Sequence, residues 1–147
     1  MKIEFSKEQY LDLMKLVYLG NYVVNTAMGN EEDIENFNKI EDFIFSKAKD
    51  AGLERFVEDI EEDNEKTIYA SEELEGEVEE IIEAFEENIF WQDLVDLLTK
   101  RDVESKYSED ELAAMDMEKI MDIESEIFEK YADEFDKNGI NNLFLKK

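Results

Sequence analysis

Residues 61–87 read EEDNEKTIYASEELEGEVEEIIEAFEE and hold thirteen carboxylates against a single base, Lys66. The fold turns on whether this is one undifferentiated acidic run or a helix with an acidic outside. Spacing divides the stretch in two. Ser71 is a suitable N-cap, and Leu74, Val78, Ile81, Ile82 and Phe85 recur three and four residues apart, which predicts an amphipathic helix with a buried stripe. The preceding EEDNEKT is a polar interruption and predicts a mobile loop, followed by the apolar pair Ile68 and Tyr69.

On this helix the stripe leaves Glu73, Glu77, Glu80 and Glu87 on an outer track, with Glu72, Glu75, Glu79, Glu83 and Glu86 beside it. Like charges three or four apart stand about 5–6 Å from each other and are mildly destabilising. A helix selected for stability alone would interleave Lys, as the last helix does with Lys119, Lys130 and Lys137. The nine Glu residues are therefore the candidate partner-binding face.

The same periodicity, read outward, predicts an all-α chain. Ser6 and Gln9 fit a capping box. After them Tyr10, Leu13, Met14, Val17, Asn21, Val24 and Met28 form one stripe, while Leu11, Leu16, Leu19 and Val23 lie off it and predict a central, largely buried first helix, with Gly20 allowing close packing. A second helix follows Gly29 and Asn30, with Ile34, Phe37, Ile40, Ile44 and Ala48 inward, Phe43 and Phe45 widening that face, and Gly52 as a left-handed end. Leu53, Phe56, Val57 and Ile60 predict a short third helix.

Beyond the acidic helix, Trp91, Leu94, Val95 and Leu98 repeat at helical spacing in NIFWQDLVDLLTKRD. Ser108 and Glu111 make a second capping box. Ile120, Ile123, Ile127, Phe128, Tyr131 and Phe135 then give a long amphipathic face, with Met115, Met117 and Met121 as adaptable packing residues, and Asn138 and Gly139 end it. The absence of Pro fits long helices. Period-two alternation occurs only at residues 3–5 and 143–145, so a minimal two-stranded ribbon, if formed, would pair the termini. The expected architecture is a single-domain bundle of five or six helices over residues 1–147.

Composition limits the chemistry. The formal net charge is −26, with 16 bases against 42 acids, which opposes direct binding to nucleic acid or to anionic membranes. The charge is uneven: residues 1–60 hold thirteen acids and seven bases, and residues 61–147 hold twenty-nine and nine. No Cys is present and no stretch reads as a signal peptide or membrane span, so the cytoplasm is the expected compartment. Without His or Cys, the usual neutral-pH base, thiolate nucleophiles and transition-metal ligands are missing. Carboxylate chemistry remains, but Asp12 and Asp93, the acids nearest apolar stripes, can point outward. The fragment DEFDKNGINNLF imitates a calcium loop. With Gly139 at the sixth position, however, Leu145 falls where a bidentate Glu is required, and a glycine helix end explains the same residues. No enzyme activity, metal or cofactor is expected.

Three blocks, FSKEQYLDLMKLVYLGNYVVN, NIFWQDLVDLLTKRD and EKYADEFDKNGINNLFL, resemble corresponding blocks in a group of small acidic bacterial proteins without known function. The resemblance covers about half the chain. It implies a shared helical fold and carries over no site residue.

The functional expectation follows from charge. Duplex DNA presents one charge per about 1.7 Å of axis, and rows of Glu on a rigid helix approximate such a ribbon. The chain is thus expected to be a non-catalytic decoy for the basic groove of a DNA- or RNA-binding protein, in the manner of phage inhibitors of restriction or CRISPR nucleases. The alternative is a structural or oligomeric helical module, including a homodimer, whose acids only confer solubility. A second binding surface, a helix-docking groove using Met115, Met117 and Met121 or Phe90 and Trp91, competes with the reading of those residues as core.

Overall fold

In a computed structural model, residues 2–28, 31–62 and 65–144 are described. Five α-helices and one antiparallel ribbon form the described chain: α1 (Lys7–Ala27), α2 (Glu31–Phe45), a 3₁₀ turn (Glu54–Phe56), β1 (Val57–Glu62), β2 (Glu65–Ala70), α3 (Glu72–Lys106), α4 (Glu109–Ala113) and α5 (Met117–Asn138). The all-α expectation with a minimal ribbon is met. The chain divides into two compact units, Met1–Glu83 and Ala84–Lys147, with α3 contributing to both.

In the first unit α1 starts where the capping box places it: the Gln9 N–H donates to Ser6 Oγ at 3.2 Å and the Ser6 N–H to Gln9 Oε1 at 2.9 Å. The core gathers Met14, Phe45, Ala48, Leu53, Phe56, Val57 and Leu74. Burying a side chain of this class is worth about 1.5–3 kcal/mol, so this cluster fixes the unit. Tyr10 donates its hydroxyl to the Ile44 carbonyl at 2.8 Å, joining α1 to the end of α2.

Several expectations need correction here. α1 is not largely buried: Met14 is its only buried residue, and Leu16 is 67% exposed. Gly20 serves no close approach, since a Cβ there would meet nothing within 4 Å. α2 stops at Phe45, and hydrogen-bonded turns carry the chain to Gly52, whose φ of 69° is the left-handed end expected there. Phe37, Ile40 and Phe43, read as inward, are exposed. Gly29 and Asn30 lie outside the described residues.

The ribbon is the larger correction. Residues 3–5 form no strand, nor do Leu143 and Phe144, and Leu145 lies outside the described residues. The paired strands are instead β1 and β2, in register from Val57↔Ala70 to Glu62↔Glu65. The predicted third helix and mobile loop are therefore largely hairpin, with Asp63 and Asn64 outside the described residues. The cause is physical: Val57, Ile68 and Ala70 reach one face of the ribbon and pack at the core, while Ile60 and Tyr69 are exposed. Cross-strand pairing overrode the helical spacing of Leu53, Phe56, Val57 and Ile60.

In the second unit α3 and α5 run in opposite directions. Trp91 packs its ring against Phe135, with centroids 5.6 Å apart, and lies 3.9 Å from the Cβ position of Gly139. Farther along α3, Asp102 accepts a 2.6 Å bond from the Tyr131 hydroxyl, and Arg101 donates to the same hydroxyl at 2.8 Å and to Asp102 at 2.7 Å. These donors, Tyr131 first, hold the Asp102 carboxyl below its ordinary range.

The Ser108–Glu111 capping box forms as expected but opens only the short α4, and α5 begins after Asp116. Gly139 closes α5 at φ 53°, its N–H donating to the Phe135 carbonyl at 2.9 Å. The Glu134 carboxylate that would begin a calcium loop instead accepts from the amides of Asn138 and Asn142. Met117, Met121 and Phe90 are exposed and do not belong to the core. Among the described residues no helix is long and apolar enough to cross a membrane.

Candidate functional site

The acidic face begins at a defined cap. Ser71, itself buried, donates its hydroxyl to the Arg55 carbonyl at 2.7 Å and accepts from the Leu74 N–H at 3.4 Å, tying the start of α3 to the end of the 3₁₀ turn. Glu72, Glu73 and Glu75 occupy the first turn, where the exposed N–H groups favour negative charge. Leu74 and Val78 are fully buried and fix which side of the helix looks outward.

All nine predicted Glu residues are exposed, but they do not form one class. Glu73 pairs with Arg55 at 3.0 Å, and Glu77 with Lys15 at 2.7 Å. The Lys15 ammonium holds the Glu77 carboxyl below the usual carboxylate range. Glu75 accepts from the Tyr18 hydroxyl at 3.3 Å, and burial, followed by the charge of Glu75, raises the Tyr18 phenol. These three acids lean on the rest of their unit. Glu72, Glu79, Glu80 and Glu83 lie on the opposite side of α3 from Leu74 and Val78 and make no ion pair among the described residues, while Glu87 falls in the second unit and borders a cavity there.

Between Tyr18 and this side of α3 lies an open groove of about 420 Å³, lined by Glu72, Glu75, Glu79, Glu83 and Gly76. A Cβ at Gly76 would meet nothing within 4 Å, so packing does not require its missing side chain. Its effect is to leave the centre of the acidic groove open.

The stripe expected beneath the acids is shorter than the spacing implied. Ile81 is 53% and Phe85 47% exposed, and only Ile82 is partly covered in that turn. The acidic helix and the helical repeat of NIFWQDLVDLLTKRD are one element, since α3 continues unbroken for 35 residues. Asp12 and Asp93 are exposed, and no group of three or more acidic ligands able to hold a metal occurs among the described residues.

Charge density can be compared with nucleic acid directly. At about 1.5 Å per residue, the helix from Glu72 to Glu87 spans about 22 Å. Nine carboxylates over that length give one charge per about 2.5 Å. That value lies between the roughly 3.4 Å per phosphate of one DNA strand and the 1.7 Å of a duplex. No protein-family model, curated protein or solved structure matches the chain, so the resemblance of the three helical blocks stands on their residues alone.

Proposed function

We propose that this protein is a non-catalytic acidic binding protein whose α3 face occupies a basic, nucleic-acid-binding groove on another protein, as a decoy of the kind that blocks a restriction or CRISPR nuclease. The observation that carries this reading is the outward row of Glu72, Glu79, Glu80 and Glu83 in the first unit, exposed and without an ion pair among the described residues. Such a row raises self-repulsion and contributes nothing to the core, so a basic partner is its natural complement. The proposed setting is the cytoplasm, without cofactor or metal.

The test is capture of partners from host lysate, followed by displacement with DNA. The reading predicts a partner with a basic groove, displaced by single-stranded or duplex DNA, with affinity falling steeply as salt rises. A partner with no basic groove, or one retained at saturating DNA, contradicts it.

A second reading is favoured by a separate observation, the exposure of Phe37, Ile40 and Phe43 along α2. Apolar rows of this kind mark contact surfaces, and here they would serve an oligomeric module. Sedimentation distinguishes the two: an oligomer gives a concentration-dependent mass that Phe43→Ser abolishes and that Glu→Gln changes on α3 leave intact.

A further inference from the structure

The second unit carries a groove that shares only Glu87 with the predicted acidic face. On α3, Trp91, Val95, Thr99 and Val103 stand four residues apart, so their side chains line one track. Two cavities lie along that track against α5, one of about 640 Å³ beside Trp91 and Val95, the other of about 510 Å³ beside Thr99 and Val103. Phe128 lines both and makes them parts of one groove.

Of the buried residues in the lining, Val95, Val103 and Phe135 are apolar and Thr99 is the one polar group. Thr99 is only 7% exposed, and its hydroxyl has no hydrogen-bond partner among the described residues. Leaving a buried hydroxyl without a partner is costly, and a partner group entering the groove would remove that cost. The rim is acidic: Glu87 and Asp136 border the first cavity and Asp96, Glu104 and Glu124 the second, against one base, Lys100.

We infer that this groove is a docking site for a basic amphipathic helix of a protein partner. The track from Trp91 to Val103 is about 18 Å long, which matches about three turns of helix. Apolar anchors at three-and-four spacing would meet Trp91, Val95, Val103 and Phe128, a polar side chain would meet Thr99, and flanking Lys and Arg would meet the rim. Charge selects this occupant over a second copy of the chain. Residues 84–147 hold eighteen acids against eight bases, so two copies meeting here would repel. The inference does not depend on nucleic-acid mimicry by the Glu72–Glu87 row.

Trp91 is the chain's only tryptophan and lines the groove, so the full-length protein reports on its own occupancy. The probe is a peptide of about 16 residues with Leu at helical spacing and Lys or Arg elsewhere, compared with a scramble of the same composition that has no apolar face. The expected result is a saturable change in Trp91 emission, with the scramble at least about tenfold weaker. Ser125→Arg, at an exposed position lining the groove, and Phe128→Ser, half-exposed on its floor, should each weaken binding by a similar factor. Ser46→Arg, which adds the same charge at an exposed site in the first unit, should not.

If neither peptide binds, or the scramble binds as tightly, the groove has no such role. Equal effects of Ser125→Arg and Ser46→Arg would mean attraction by overall charge alone and would overturn the inference. So would a dimer that forms with concentration and excludes the peptide. Glu79→Gln with Glu83→Gln tests the other face: it should leave the difference between peptide and scramble intact even where decoy activity is lost.

Discussion

The two compact units build their interiors differently. In the first, seven buried residues from α1, α2, the turn that follows, the ribbon and α3 form one cluster, and three of the acids above it rest on Lys15, Tyr18 and Arg55. In the second, burial is confined to Val95, Thr99, Val103 and Phe135, one of them a threonine with an unpartnered hydroxyl. The first unit packs Leu74 of α3 into that cluster, which fixes the side of the helix that carries the acids there. The second keeps apolar and polar groups along an open groove, the surface proposed to receive a partner helix.

Core truncation should separate the units most strongly. Phe56→Ala, at a fully buried site in the first cluster, should cost about 3–5 kcal/mol, read by urea unfolding, whereas Phe128→Ala in the groove should cost less than about 1 kcal/mol. Similar losses at the two sites would remove the contrast.

Next in size is Thr99→Val, which keeps the shape and removes the unpartnered hydroxyl. It should raise stability by about 1 kcal/mol. A loss of that size would mean that the hydroxyl is satisfied in solution and that the groove floor is complete.

The smallest effects concern two carboxylates of the first unit whose pH dependence has opposite sign. Glu41, partly buried beside α1, is raised above the ordinary range chiefly by burial, although Asn21 donates to it at 2.6 Å. A raised value in the folded state gives a contribution that is full below the unfolded value, about 4.3, and is lost as pH rises through the folded one. Glu41→Gln should therefore raise Tm at neutral pH, with the gain vanishing in acid. Glu77 is depressed by Lys15, so its contribution is present above the unfolded value and fades as pH falls through the folded one. Glu77→Gln should lower Tm slightly at neutral pH and not in acid. Slopes of the same sign for both variants would contradict the assigned environments.

Local signals were legible in the sequence where a short motif decides the backbone. The Ser6–Gln9 and Ser108–Glu111 boxes and the glycine ends at Gly52 and Gly139 all lie where spacing puts them. What spacing could not supply was tertiary. Leu53, Phe56, Val57 and Ile60 fit a helix by period, and only pairing with residues 65–70 makes Val57 and Ile60 part of a strand. Ile81 and Phe85 continue the stripe of Leu74 and Val78, yet the core ends beneath Val78, so the same pattern is buried in one turn and exposed in the next.

The acidic face was visible as a row of residues but not in its division. Lys15 lies 62 positions from Glu77, and Arg55 meets Glu73 where Ser71 ties the start of α3 to the Arg55 carbonyl. Those contacts separate acids that support the fold from acids that face outward.

The central claim, that the outward acids are the partner-binding row, is tested most directly by measuring partner affinity for two charge-matched variants. One carries Glu79→Gln with Glu83→Gln, the other Glu73→Gln with Glu77→Gln. The account predicts that the first pair weakens binding by at least about tenfold with stability unchanged, while the second mainly lowers stability. Equal losses of affinity in both variants, or none in the first, would contradict it.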